Sequence, residues 1–122
     1  MDKTASSEET KLMIKQLSDE CTFVGLSGFP MLSKELKHIN ETAEANPNQN
    51  IIMDFTRVSL LTSSHLSNLM ILRGMLNEKG YKLIMCNVSF QIKCEFTACG
   101  LKDYFIFADD KQKALEMLSQ KT

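Results

Sequence analysis

The side chains with the most chemical potential in this chain fall in one run, Thr62-Ser63-Ser64-His65: three hydroxyls followed by an imidazole. Asp54 closes an apolar stretch ahead of them, and a second histidine, His38, and four cysteines, Cys21, Cys86, Cys94 and Cys99, lie elsewhere. A serine close to a histidine raises the question of nucleophilic catalysis. Residues two apart on a helix point in diverging directions, so Ser63 and His65 are poorly placed to pass a proton. No serine has glycines two residues to either side, as a nucleophile elbow needs, and there is neither a glycine-rich phosphate loop ending in Lys-Ser/Thr nor a G-x-G-x-x-G. The cysteines show no C-x-x-C spacing, so no metal site is expected. Cys94 and Cys99 with His65 make the one conceivable ligand set, and buried reduced thiols are the simpler reading. An enzyme using Cys94 or Cys99 as nucleophile would lack a His/Asp support pair. Asp54 without a second converging group reads as a strand-end carboxylate bonding the next loop.

The three hydroxyls are harder to dismiss. One of them can cap a helix by accepting a hydrogen bond from an orphan backbone N–H, a contribution of about 1 kcal/mol. Capping accounts for one hydroxyl and leaves two. The other role open to such a cluster is phosphorylation, since unpaired N–H groups and the helix dipole favour a phosphate at a helix N-terminus, while its charge repels an acidic partner or a close apolar contact. On the residues alone capping is favoured and phosphorylation stays open.

The elements that must position this run follow from apolar spacing. Leu12 to Leu17, with Leu12, Ile14 and Gln16 on one face, reads as a strand near a sheet edge, and Thr22 to Leu26 as a second. Gly25 and Gly28 bracket a turn, and Pro30 suits an early helical position. Leu32, Leu36, Ile39 and Ala43 recur at helical spacing until Asn46-Pro47-Asn48 breaks the pattern. Asn50 to Phe55 is short and nearly all apolar, as in a strand covered on both faces. Leu66, Leu69, Met70, Leu72, Met75 and Leu76 predict a helix stopped by Gly80, and Lys82 to Val88 another buried strand. Ser89 to Ala98 reads as a short helix closed by Gly100, and Tyr104 to Phe107 as a last strand. Asp109 or Asp110 would cap a final helix striped by Ala114, Leu115 and Leu118. Helices between buried strands imply right-handed crossovers and a mostly parallel sheet, a single α/β domain over residues 11–122 behind a polar, flexible segment 1–10. Met53, Met70, Met75 and Met85 stand at core-facing spacings.

The chain has 122 residues, with 14 Lys plus Arg against 15 Asp plus Glu, a formal charge of -1. Such a balance lacks the basic footprint of a nucleic-acid binder. No apolar run is long enough to insert into a membrane, and residues 1–10 lack the apolar core of a signal peptide, so a cytoplasmic protein is expected. Its length suffices for one core without staples. Oligomeric state is not readable.

From Asn50 to Leu118 the chain resembles the STAS domain of bacterial anti-sigma factor antagonists. In that family a strand ending in Asp leads through a loop to an Asp-Ser-Ser-Gly-Leu motif that opens a helix. Asp54, Val58 and Thr62-Ser63-Ser64-His65-Leu66 stand in the corresponding places, Thr97-Ala98-Cys99-Gly100-Leu101 resembles the family's Thr-Gly-Leu step, and Phe105 to Phe107 with Asp110 to Leu115 match its last strand and helix. Val24 to Gly28 and the helix after it fit more loosely. The resemblance implies a STAS-like fold and a binding module of transcription regulation, without cofactor or chemistry of its own. It would dock on an anti-sigma factor or related serine kinase, be phosphorylated at Ser63 (Ser64 the adjacent alternative), released, and reset by a serine phosphatase. The implied contact surface is Thr62, Ser63, Ser64, His65, Leu66 and Ser67, with Gly28 and Ser89 on neighbouring loops. Three positions depart from the family: Thr62 for Asp, His65 for Gly, and Ser67 where a second Gly is common. His65 itself reads as a hydrophilic surface side chain, with a pH-responsive surface as the alternative. A second reading implied by the resemblance is an accessory subunit of a transporter ATPase, using the same helix face without a phosphorylation cycle.

Overall fold

Four short apolar segments, each followed by an amphipathic one, have few ways to bury both kinds of surface, and the chain adopts the simplest. A computed structural model of the protein describes residues 12–119. Strands β2 (Cys21–Gly25), β3 (Asn50–Asp54), β4 (Leu83–Cys86) and β5 (Ile106–Ala108) lie parallel in sequence order, joined by helices α1 (Leu32–Ala45), α2 (Ser63–Glu78) and α3 (Phe90–Ala98). β1 (Met13–Ser18) pairs antiparallel with β2 and forms the edge, Ile14 opposite Val24, with an irregularity between Gln16 and Ser18. α4 (Lys111–Ser119) follows β5.

Each crossover advances one strand in the same direction, and right-handed connections then deposit α1, α2 and α3 on one face. That face holds the larger core, in which Val24, Met53 and Met85 of the sheet meet Leu36 of α1, Leu69 and Leu72 of α2 and Phe96 of α3. Phe96 packs edge-on against Phe105 and Phe107, both with ring centroids 5.3 Å away. Side chains alternate along a strand, so Ile52, Ile84 and Cys86 point to the opposite face, where α4 covers them with Ala114, Leu115 and Leu118. The nearly continuous apolar runs of β3 and β4 are what a strand buried on both faces requires. Among the described residues no helix is long and apolar enough to cross a membrane.

The element order and the mostly parallel sheet are those the sequence predicts, and the expected flexible segment 1–10 lies outside the described residues. Details differ. Pro30 is in the turn ahead of α1, after a cis Phe29–Pro30 bond, and Met31 is the helix cap. β5 begins at Ile106, because Tyr104 belongs to a turn in which its N–H donates to the Leu101 carbonyl at 3.0 Å, and the Arg73 guanidinium lies over its ring at 4.1 Å. β4 stops at Cys86, where Asn87 takes a positive φ of 55°. Met53 and Met85 are buried, while Met70 is exposed because the core stripe of α2 runs through Leu66, Leu69, Leu72 and Leu76. All four cysteines are free thiols, with Cys21 and Cys86 buried, but Cys94 and Cys99 are exposed, on the outer side of α3 and at its C-cap.

Candidate functional site

In a parallel sheet every βα loop opens at the C-terminal edge of the strands, which gathers functional segments from distant parts of the chain. Three converge here: residues 26–31 after β2, 55–62 after β3, and 87–89 after β4. The first two are pressed together. Gly28 is buried with φ +94°, and a Cβ there would lie 2.5 Å from the Arg57 carbonyl oxygen, so no other residue fits without displacing backbone. Glu35, in the first turn of α1 and 4% exposed, holds the same loop from below by accepting the Ser27 N–H at Oε1, 2.8 Å away.

Asp54 organises the floor of this edge. One of its oxygens accepts from Asn87 Nδ2 at 2.6 Å and Thr56 Oγ1 at 2.9 Å, tying the ends of β3 and β4 to the loop that leads into α2. The Cys86 thiol lies 3.9 Å from the same oxygen, and burial first, then the Asp54 charge, push its pKa up to about 12. It is a protonated filler, with no thiolate to offer. A cleft of about 510 Å3 opens beside Asp54, bounded by the start of β1 and by Thr56 and Arg57.

The hydroxyl run occupies the start of α2. Thr62 is the N-cap, in extended conformation, and its Oγ1 accepts the His65 N–H at 3.3 Å. His65 returns the bond: its Nδ1 accepts the Thr62 N–H at 3.0 Å, completing a capping box with an imidazole where Glu or Gln is usual. A backbone N–H can only donate, so the neutral ring carries its proton on Nε2. That N–H donates to Ser33 Oγ, 2.9 Å away on α1. The assignment also disposes of a Ser33–His65 catalytic pair, because an Nε2 that already bears the proton cannot take one from the hydroxyl.

His65 is 5% exposed, which corrects the expectation of a surface histidine: both ring nitrogens are bonded to the protein itself, and burial moves its pKa down. Of the residues implied as a contact surface, Thr62, Ser63, Ser64, Ser67 and Ser89 are exposed, whereas His65, Leu66 and Gly28 are buried. Ser89 caps α3 by accepting the Ile92 N–H at 3.2 Å. With Thr62 doing the capping, Ser63 and Ser64 remain in the first turn of α2 with hydroxyls that bond no other described residue. Among the described residues no three His, Cys, Asp or Glu side chains cluster as metal ligands, so Cys94, Cys99 and His65 do not meet as a set.

Sequence reasoning missed the apolar side of this edge. Phe29 and Leu60, from the first two βα connections, and Phe90, the first residue of α3, are 80%, 51% and 82% exposed. Their signal was local: an aromatic inside a turn before proline, a leucine in a loop, and an aromatic immediately after a capping serine, all positions off any core stripe. It also missed Ser33, which has no motif and is 32 residues from His65.

The STAS domain family model matches residues 20–114. No curated protein sequence matches the chain. Among solved structures, the Bacillus cell fate determinant SpoIIAA in its phosphorylated form superposes with a TM-score of 0.65 at 18% identity, over 88% of this chain and 98% of that one. An anti-sigma-factor antagonist (STAS) domain protein from Planctomyces limnophilus gives 0.76 at 14%, covering 89% and 98%. A sulfate transporter family protein from Wolinella succinogenes gives 0.62 at 19%, covering 80% and 82%. At such identities these likenesses speak to the fold.

Proposed function

We propose, since this chain belongs to the STAS domain family, that it is a phosphorylation-controlled docking module whose switch is Ser63, with Ser64 the adjacent alternative. The observation that carries this is the division of labour at the start of α2: Thr62 and His65 satisfy the helix end, leaving two exposed serine hydroxyls unbonded to any described residue. A phosphate there meets the Ser63 and Ser64 N–H groups, which the capping box does not engage, and the positive end of the helix dipole, so the modified chain stays folded. The same phosphate brings roughly 1.5 to 2 negative charges to an edge otherwise equipped for close contact by Phe29, Leu60 and Phe90. Desolvating that charge against an apolar partner surface is unfavourable, so release follows from modification. The chain supplies differential affinity and no chemistry of its own, and a coupling of about 1–3 kcal/mol between phosphate and partner is enough to operate it.

The partner in this reading is an anti-sigma factor or related serine kinase, with a serine phosphatase to reset the switch, all in the cytoplasm and acting on transcription. SpoIIAA, a fold relative, is described in both unphosphorylated and phosphorylated forms. The test is affinity capture from source cells with mass-spectrometric identification, followed by titration of the kinase recovered. Ser63→Ala should bind as the wild type does and Ser63→Asp at least tenfold more weakly. Equal affinities for all three forms would defeat the switch.

One observation favours a second reading. His65 stands where the motif has glycine and is locked to α1, so the edge has a stiff, closed start. That suits a permanent docking face, as in an accessory subunit of a transporter ATPase, and the fold is shared with a sulfate transporter family protein. Recovering an ATP-binding transporter subunit in place of a kinase would select it.

A further inference from the structure

The imidazole of His65 makes three demands at once. Nδ1 must be bare to accept the Thr62 N–H, Nε2 must be protonated to donate to Ser33, and the ring must be neutral to sit almost wholly out of water. One protonation state meets all three. A second proton would set an Nδ1–H against the Thr62 N–H, donor against donor, and leave a cation inside the α1–α2 interface. We propose that His65 is a proton-operated latch: its neutral ring fastens the first turn of α2 to α1, and protonation unfastens that turn, the segment that carries Ser63. The inference goes beyond the phosphorylation reading, because the latch works whether or not any partner or phosphate is ever present.

Among the described residues no acidic side chain bonds the His65 ring, whose partners are Ser33 Oγ and the Thr62 N–H. On α1, Ser33 and Lys34 are exposed, Lys37 stands one turn on, and Glu35 is buried, its Oε1 accepting the Ser27 amide while its Oε2 has no partner among the described residues. His38 is exposed on the same helix. On α2 there is no acid in the first turn. On the incoming loop Asp54 is engaged with Thr56 and Asn87, and Arg57 is exposed. Consistent with that inventory, burial alone displaces the proton affinity of His65, downward. Asn40, which donates to the Asn68 carbonyl at 3.1 Å, is the next tie between the two helices, so the loosening is confined to the first turn.

Nitrogen NMR of the isotopically labelled full chain tests this directly. At pH 7.5 the His65 ring should show a protonated Nε2 and an unprotonated Nδ1. On lowering the pH to 5, the Thr62 and His65 amides should lose protection against solvent exchange by roughly five- to tenfold after correction for intrinsic rates, the equilibrium equivalent of one lost cap. The Ile92 amide at the start of α3 should not change. His65→Gln keeps a capping-box side chain that does not titrate and should abolish the response, whereas His38→Gln should leave it intact. A proton on Nδ1 at pH 7.5, unchanged protection at pH 5, or a response that survives His65→Gln would each overturn the latch. The tautomer and exchange readings need no variant, so a poorly folding mutant does not spare the proposal.

Discussion

Two helices begin at the same edge of the sheet in different ways. α3 starts from Ser89, whose hydroxyl accepts the Ile92 N–H and involves nothing outside its own turn. α2 starts from Thr62, whose cap is answered by His65, which in turn is held by Ser33 of α1. A single cap is a local device whose strength depends on one side chain. A reciprocal cap routed through a buried imidazole depends also on the seat of a neighbouring helix and on a proton. The comparison teaches that equivalent secondary-structure positions can carry different sensitivities, and that the sensitive one is the end bearing the candidate phosphoacceptor.

The strongest way to break the contrast is through the seat of α1. Gly28→Ala forces a Cβ against the Arg57 carbonyl from a left-handed backbone, and should cost at least about 2 kcal/mol in urea unfolding. Amide exchange should then rise at the start of α2, because Ser33 is displaced, and stay unchanged at Ile92. Next in size, Thr62→Ala should destabilise by about 1–2 kcal/mol, since it removes an acceptor from the His65 N–H. Ser89→Ala should cost about 1 kcal/mol or less at the exposed α3 start, the difference between the two measuring what reciprocity adds.

The smallest expected effect is on pH dependence. The folded-state pKa of His65 lies below the ordinary histidine value of about 6.5, so the unfolded chain binds protons more readily than the folded one. The stabilisation is therefore complete above pH 6.5, declines as the pH falls below it, and levels off beneath the folded pKa. Urea midpoints for wild type and His65→Gln should run parallel from pH 8 to 7 and diverge toward pH 5, the wild type losing more. Parallel curves throughout would make the two helix starts equivalent in this respect.

Most of the fold is legible in the residues. Period-two and period-3.6 apolar patterns separate strands from helices, and the nearly all-apolar NIIMD and all-apolar LIMC runs specify strands covered on both faces. The boundaries that slipped did so at local turns, Asn87 taking a positive φ after β4 and Tyr104 bonding back to Leu101 before β5, whereas Met70 drops out of the core for a tertiary reason, because the face α2 presents is set by its neighbours. At the site, the hydroxyl run and its place at a helix start are visible in the sequence, as is the conclusion that one hydroxyl must cap. The identity of the cap's partner is not, because a histidine at N3 has no strong pairing rule of its own.

By itself the sequence determined the order of the elements, the mostly parallel sheet and the place of a hydroxyl run at the start of α2. These depend on local spacing and side-chain chemistry, which a linear string records. That Thr62 is the cap and Ser63 and Ser64 are the spare hydroxyls came from the structure. Only the tertiary structure decided that His65 is buried, that its proton sits on Nε2, and that Ser33 receives it. Those facts arise where two helices distant in sequence are packed side by side, and hydrogen-bond geometry across that contact leaves no trace in the order of residues.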